Sequence, residues 1–160
     1  MGSADQITIG RVSGFKEWIR ITAQRFDLPP AILAGLVATE SGGDPWAMRA
    51  EELYRYLVGD DPHEKLIKPP TSTQATEFYT QKLSWGLCQI MGATGRELRH
   101  QGWHSQMSDP VINLHYGAMY LARCLKRRGG DMRQALLLYN GGGDPEYPDK
   151  VLSWARLFEN

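Results

Sequence analysis

Apolar residues recur at every third or fourth position along five stretches of the chain, and this spacing predicts helices. The most apolar stretch has Pro29 and Pro30 where the first turn of a helix tolerates them, and Gly42 with Gly43 as its stop. The other four predicted helices cover residues 12–26, 109–130, 131–140 and 148–158. No stretch shows the alternation of a half-buried β-strand, so the chain is predicted to be mainly α-helical.

Glu40 continues the apolar stripe of the helix that begins at the two prolines. Ile32, Leu36 and Glu40 are spaced i, i+4 and i+8, so the carboxyl group points toward the core side of this helix. Poor hydration disfavours the charged form, which would raise the pKa of Glu40 and suit it to act as a general acid. The alternative is that Glu40 lies at the edge of the stripe, reaches solvent and only ends the helix.

Three parts of the chain carry weaker patterns. Residues 1–10 are polar and unpatterned, and we expect them to be frayed or disordered. Residues 46–82 hold too few apolar side chains for a core of their own, so we expect an excursion beside the site, with a helix capped by Ser72 or Thr73. Residues 84–98 are apolar but contain three glycines, which let backbone approach a helix or a ligand closely. Residues 11–160 are therefore predicted to form a single domain with little or no β-sheet.

Charge and length exclude several classes of protein. The 160 residues carry 18 Lys and Arg against 18 Asp and Glu, so the basic excess of a nucleic-acid-binding surface is missing. No window approaches the roughly 18 apolar residues of a membrane span, and no signal peptide is visible. A leader could have been removed, since residues 1–3 (Met-Gly-Ser) are typical of an expression tag. Cys88 and Cys124 are expected to be buried free thiols, with a disulfide between them as the unsupported alternative. The histidines are scattered, so we expect no metal site, and we also expect no cofactor.

Four short motifs follow one another in a diagnostic order. They are Glu-Ser-Gly-Gly-Asp-Pro at 40–45, Ser-Trp-Gly-Leu-Cys-Gln-Ile-Met at 84–91, Leu-Tyr-Asn-Gly-Gly at 138–142 and Tyr-Pro-Asp-Lys-Val at 147–151. Each motif is weak alone, but the ordered set spans residues 27–158. The set resembles the soluble lytic transglycosylase (SLT) catalytic domain, which is related to goose-type lysozyme and cleaves the glycan strands of bacterial peptidoglycan.

The resemblance implies a lysozyme-like helical fold with a cleft and with Glu40 as the sole catalytic carboxyl. In that family the glutamic acid protonates the glycosidic oxygen between N-acetylmuramic acid and N-acetylglucosamine. The resulting carboxylate then takes the proton of the muramic acid's own 6-hydroxyl, which closes a 1,6-anhydro ring. Because the substrate supplies the nucleophile, a second carboxylate is unnecessary.

The resemblance also implies which residues contact the sugar and where the protein acts. Hydroxyl and amide side chains bond sugar hydroxyls and N-acetyl groups, and aromatic faces stack on pyranose rings. Cys88 stands where the family usually has a methionine that contacts the acetyl group, so this contact becomes shorter and weaker. We expect a monomer that acts on peptidoglycan glycan strands at the bacterial cell wall. The implied substrate-binding residues are Ser84, Cys88, Gln89, Tyr139, Asn140 and Tyr147.

Two other functions stay open at this point. If Glu77 or, less favourably, Asp44 holds a water opposite Glu40, the protein would be an inverting lysozyme- or chitinase-like hydrolase with carboxyl groups about 6.5–9.5 Å apart. Otherwise Glu77 is an acid on the surface of a helix. The third function is a catalytically inactive wall-binding module of a virion or a secretion assembly. A bacteriolytic phage endolysin, a bacterial enzyme and a secretion-system enzyme are equally compatible with the motifs.

Overall fold

The computed structural model describes residues 2–59 and 66–159. Short 3-10 helices cover His104–Ser108 and Arg156–Phe158. The prediction of a mainly α-helical, lysozyme-like fold is confirmed, because helices dominate the described chain. The other elements, in chain order, are α1 (Ser3–Ser13), α2 (Lys16–Arg25), α3 (Pro30–Ser41), β1 (Met48–Ala50), α4 (Gln74–Thr80), β2 (Leu83–Trp85), β3 (Ile90–Met91), α5 (Gly92–Glu97), α6 (Pro110–Arg127), α7 (Met132–Tyr139) and α8 (Tyr147–Ala155).

Helix α3 is the centre of the fold, and its predicted ends are confirmed. Pro30 occupies its first turn, and Gly42 closes it with a left-handed φ of +60°. Residues 33–38 are all buried, and the helix packs against α1, α2 and α8. A Cβ on Gly35 would lie 2.4 Å from the carbonyl oxygen of Val151. The glycine therefore allows the backbones of α3 and α8 to touch, which brings α8 close to the end of α3.

Side-chain caps fix the starts of three other helices at the predicted places. Asp109 accepts hydrogen bonds from the N–H groups of Val111 and Ile112 at the start of α6. Asp131 accepts from Gln134 N at 3.1 Å at the start of α7, and Thr73 caps α4. Each cap satisfies N–H groups that have no partner within the helix. Helix α6 packs against α7 and α2 and completes the core.

The N-terminal region differs from the sequence prediction. The single helix expected over residues 12–26 is two helices that meet at Gly14 and Phe15. Residues expected to be frayed form α1, whose first turn is closed by a hydrogen bond from Gly2 N to Asp5 Oδ2 of 2.8 Å. Val12 at the end of α1 is buried, so tertiary packing stabilises a helix that lacks a strong apolar pattern.

The structure contains a small antiparallel sheet with the strand order β1-β2-β3. The sequence analysis did not predict these three strands. Met48 pairs with Trp85, and Ser84 pairs with Met91. Two or three residues a strand are too few to show alternation, which explains why the pattern gave no signal. Residues 60–65 of the expected excursion lie outside the described residues. The sheet places residues 49 and 84 side by side, facing the end of α3.

Within the described residues, no helix combines the length and the apolar character that crossing a membrane requires.

Candidate active site

A cleft of about 340 Å³ opens where the C-terminal end of α3 meets the sheet, α6 and α7. Helices, strands and turns from distant parts of the sequence all contribute side chains to its wall. The residues that line it are Glu40, Arg49, Glu51, Tyr54, Ser84, Gln89, Ile90, Met91, Thr94, Tyr120, Tyr139, Asn140 and Gly141.

Glu40 lies half-buried in the wall of this cleft. The hydroxyl group of Tyr147, from α8, donates a short hydrogen bond to its Oε1. Burial raises the pKa of Glu40, and it outweighs the lowering by the Tyr147 hydrogen bond and by the positive charge of Arg49. Glu40 therefore holds its proton more readily than an exposed glutamic acid. Because Oε1 accepts from Tyr147, Oε2 is the oxygen that has no partner in this hydrogen bond.

Two buried tyrosines keep their protons and act as donors beside Glu40. Burial, with the charge of Glu40 as the next cause, raises the pKa of Tyr147 far above its ordinary value. Burial also raises the pKa of Tyr139, whose hydroxyl group donates to the carbonyl oxygen of Cys88 at 2.7 Å. A tyrosine that stays neutral is an uncharged hydrogen-bond donor, so Tyr147 stabilises the carboxylate of Glu40 without exchanging a proton with it.

The turn between β2 and β3 is fastened to its surroundings by buried polar groups. Asn113 of α6 accepts from Cys88 N at 2.7 Å and donates to the carbonyl oxygens of Trp85 and Met107. Ser41, next to Glu40, donates to the carbonyl oxygen of Leu87 at 2.9 Å. These bonds tie the turn both to α6 and to the helix that carries the acid, so the cleft wall is preorganised.

Gln89 and Ser84 hold their places through bonds to backbone. Gln89 has a left-handed φ of +48°, and its Nε2 donates to the carbonyl oxygens of Ala47 and Gly86, each at 3.0 Å. Ser84 Oγ donates to the carbonyl oxygen of Arg49 at 3.2 Å. A left-handed non-glycine residue is uncommon, and here the side-chain bonds hold it in place.

Most of the residues that the motifs single out come together in this one place. Glu40, Ser84, Gln89, Tyr139 and Asn140 all line the cleft. Asn140 ends α7, and its Oδ1 accepts from Asp144 N at 3.1 Å. Tyr147 is not among the residues that line the cleft; it is buried and contacts the cleft residue Glu40.

Cys88 does not line the cleft with its side chain. Its Sγ is buried and points at α6, where a Cβ on Gly117 would lie only 2.4 Å from it. Burial raises the pKa of the thiol, so it stays protonated. Both Cys88 and Cys124 are buried free thiols, as expected. The structure gives the Cys88 side chain a packing position, and the residue supports the site through its backbone N–H and carbonyl groups.

Neither candidate for a second carboxylate lies with Glu40. Glu77 is 3% exposed, which contradicts the surface-acid interpretation. It forms a buried ion pair with Arg96 at 2.9 Å and accepts from Ser72 Oγ at 2.7 Å. Burial alone would raise the pKa of Glu77, but the hydrogen bonds from Arg96 and Ser72 lower it to about 2. Asp44 accepts from Trp46 N in the turn after α3 and is not among the cleft residues.

The sequence analysis did not single out several residues of the cleft. Arg49, Glu51 and Tyr54 come from the part of residues 46–82 that precedes the predicted helix, where no helical pattern orients them. Tyr120 lies against Tyr139, with ring centroids 5.1 Å apart. Asn113 did have a signal, because Asn113, Gly117 and Leu121 repeat the i, i+4, i+8 spacing that identified Glu40. A polar residue on an apolar helical stripe is thus the signal to look for.

Among the described residues, no three His, Cys, Asp or Glu side chains are close enough together to hold a metal ion.

Comparisons with known proteins agree with this site. The family model for the transglycosylase SLT domain matches residues 17–147, which include Glu40, the β2–β3 turn and Tyr147. A relative named "Transglycosylase", from Enterobacteria phage PRD1, is 28% identical over an alignment 152 residues long, and this alignment covers 88% of the present chain. The chain spans 44% of the length of that relative. No solved structure matches the chain. Since the family model covers well over half of the sequence, the chain belongs to the transglycosylase SLT domain family.

Proposed function

We propose that the protein is a peptidoglycan lytic transglycosylase that cleaves the bond between N-acetylmuramic acid and N-acetylglucosamine and leaves 1,6-anhydro ends. In this proposal residues 11–160 work as a single domain, with residues 46–82 flanking the cleft. The protein acts as a monomer at the bacterial cell wall. Its membership in the transglycosylase SLT domain family supports the choice of substrate.

The observation that carries the proposal is the environment of Glu40. It is a half-buried acid in a cleft, with a raised pKa and with one oxygen held by a tyrosine that keeps its own proton. A general acid for a glycosidic oxygen needs a carboxyl group that is protonated near neutral pH and can release the proton into the cleft. The raised pKa of Glu40 shifts it toward the first condition, and its place in the wall of the cleft meets the second.

The reaction then follows in two proton transfers through Glu40. Glu40 Oε2 gives its proton to the glycosidic oxygen as the bond from C1 of the muramic acid to that oxygen breaks. The 6-hydroxyl oxygen of the same sugar bonds to C1, and its proton passes to the Glu40 carboxylate. The acid is regenerated and no water is consumed. Between the two transfers, Tyr147 stabilises the carboxylate by donating to Oε1.

Polar side chains around Glu40 suit an uncharged, hydroxyl-rich substrate. Ser84, Gln89 and Asn140 present hydroxyl and amide groups to the cleft, and Tyr139 adds an aromatic wall. The bonds from Gln89 Nε2 to backbone leave its amide oxygen as an acceptor for a sugar hydroxyl or N-acetyl N–H group. We propose these four residues as the substrate-binding set, with Tyr147 acting through its hydrogen bond to Glu40.

One observation favours a hydrolase as a second candidate. Glu51 lies in the same cleft as Glu40, and a carboxylate there could hold an attacking water. However, Glu51 Oε1 lies 2.8 Å from Arg49 Nε, so this carboxylate already forms an ion pair. We therefore rank hydrolysis below transglycosylation. The masses of the products separate the two reactions.

The experiment that tests the proposal is the E40Q variant assayed on purified cell walls. Glutamine keeps the shape and the Tyr147 contact but cannot donate an acidic proton, so we expect the rate of wall solubilisation to fall by about 10³-fold or more. The matched control is E17Q, which removes an exposed carboxyl on α2 and should act like the wild type. Solubilisation by E40Q at the wild-type rate would overturn the proposal. A wild type that binds walls without solubilising them would favour the inactive wall-binding module.

A further inference from the structure

Arg49 is the one basic side chain among the described residues that line the cleft. It projects from the middle of β1, and its side chain is 72% exposed. The two acids of the same wall are Glu40 and Glu51. A carboxylate that enters the cleft would therefore lie near two acidic side chains, and Arg49 supplies the positive charge that attracts it.

Hydrogen bonds to Ser84 hold the backbone of Arg49, so the base of its side chain has a fixed position. Arg49 pairs with Ser84 in the β1–β2 register, and Ser84 Oγ donates to the carbonyl oxygen of Arg49. Glu51 contacts the guanidinium at Nε, at 2.8 Å. The other N–H donors of an arginine fork lie on its two terminal nitrogens, which can take a carboxylate in a bidentate manner.

The charge of Arg49 reaches the reacting centre. It lowers the pKa of Glu40, as the third cause after burial, which raises this pKa, and the Tyr147 hydrogen bond, which lowers it. Because Arg49 and Glu40 share one cleft, a ligand held by Arg49 lies within the same groove as the bond to be cleaved.

We propose that Arg49 forms a carboxylate-binding subsite that selects glycan strands carrying acidic groups. This inference rests on the proposed function. Peptidoglycan carries carboxylates from two sources: the lactyl group of a muramic acid without peptide, and the stem peptide where one is attached. Chitin has the same sugar backbone and neither acidic group. Arg49 thereby distinguishes peptidoglycan from an uncharged N-acetylglucosamine polymer.

The test is a binding comparison in the E40Q background, so that no ligand is cleaved. The variants are R49Q, R49K and the control R133Q. Arg133 is likewise an exposed arginine paired with an acid, Asp149, at 2.8 Å, but it does not line the cleft. The three ligands are soluble glycan strands with stem peptides, the same strands after amidase treatment, which exposes the lactyl carboxylates, and chito-oligosaccharides.

We expect R49Q to weaken binding of at least one acidic ligand by roughly three- to tenfold, as for a partly exposed charge-assisted hydrogen bond. Binding of the chito-oligosaccharides should stay unchanged. R49K should retain part of the affinity, because it keeps the charge but loses the fork, and R133Q should match its parent. A loss confined to the peptide-bearing strands assigns the stem peptide as the source. A loss on the amidase-treated strands assigns the lactyl group.

Equal affinity of R49Q and its parent for all three ligands would overturn the inference, as would an equal loss on all three. Failure of the proposed function gives a different result, since a wild type that releases no products from peptidoglycan refutes catalysis. The binding comparison in the E40Q background does not depend on that result.

Discussion

Two glutamic acids of this chain are shielded from water, and their pKa values shift in opposite directions. Glu40 is half-buried beside an uncharged tyrosine, and burial raises its pKa. Glu77 is more deeply buried, yet Arg96 and Ser72 hold its pKa near 2. Arg96 also donates to the carbonyl oxygens of His100 and Gly102, so its donors are occupied on both sides.

The difference shows that burial alone does not make a general acid. A buried carboxyl that contacts a guanidinium group stays ionised and contributes to structure. A buried carboxyl whose direct partner is a neutral hydroxyl has a raised pKa, which is the property that the proposed role of Glu40 requires. Arg49 is exposed in the same cleft, and its positive charge lowers the pKa of Glu40. This lowering is smaller than the increase that burial causes.

The largest expected effect on stability comes from breaking the ion pair of Glu77. In E77Q the guanidinium group of Arg96 stays buried without its counter-charge, which should lower the free energy of unfolding by about 3 kcal/mol or more. Urea denaturation followed by circular dichroism measures this. E40Q should lose activity without a comparable loss of stability.

The control is the double variant E77L/R96M, which removes both charges and should recover much of the lost stability. Wild-type stability of E77Q, combined with a loss of activity like that of E40Q, would contradict the comparison, because Glu77 would then take part in the chemistry.

The next effect is a pH dependence of stability with a definite sign. The pKa of Glu77 falls from 4.5 to about 2 on folding, so its ion pair stabilises the protein fully above pH 4.5. That stability is lost as the pH falls through the window from 4.5 to about 2. The difference in the free energy of unfolding between wild type and E77Q should therefore shrink across this window. A difference that stays constant down to pH 2 would refute the ion-pair assignment.

The smallest of these effects concerns Tyr147. Y147F removes the hydrogen bond that stabilises the Glu40 carboxylate, and we expect kcat/KM to fall by about tenfold. Because that bond lowers the pKa of Glu40, the loss of rate at high pH should shift to a higher pH in the variant. Y79F is the matched control, since Tyr79 is 68% exposed and away from the cleft. Equal pH profiles for Y147F and the wild type would contradict the role of Tyr147.

Helix ends and the acid were predictable because their signals are local. Prolines and glycines mark the ends of α3, and aspartates mark the starts of α6 and α7. The helical period put Glu40 on the apolar stripe of α3 but left open whether it reaches solvent, and the family motifs then favoured its role as the acid. Family motifs then gave the polar residues that share its cleft.

The features that the sequence did not predict depend on contacts between distant residues. Arg96 lies 19 residues after Glu77, and no spacing rule pairs them. Arg49 and Glu51 reach the cleft because β1 pairs with β2, which joins residues 35 positions apart. Helix α1 has a weak pattern and is stabilised by the packing of Val12. In each case the sequence contains both residues of the contact, but it does not show that they lie close together in the fold.

The central claim is that Glu40 closes an anhydro ring with the substrate's own hydroxyl group. It is tested most directly by digesting purified peptidoglycan with the wild-type protein and measuring the masses of the released fragments. We predict fragments that weigh one water less than those with a free reducing end, and none of these fragments when E40Q is used. Fragments that all carry the extra water would contradict the account, because they would show that the enzyme uses water as its nucleophile.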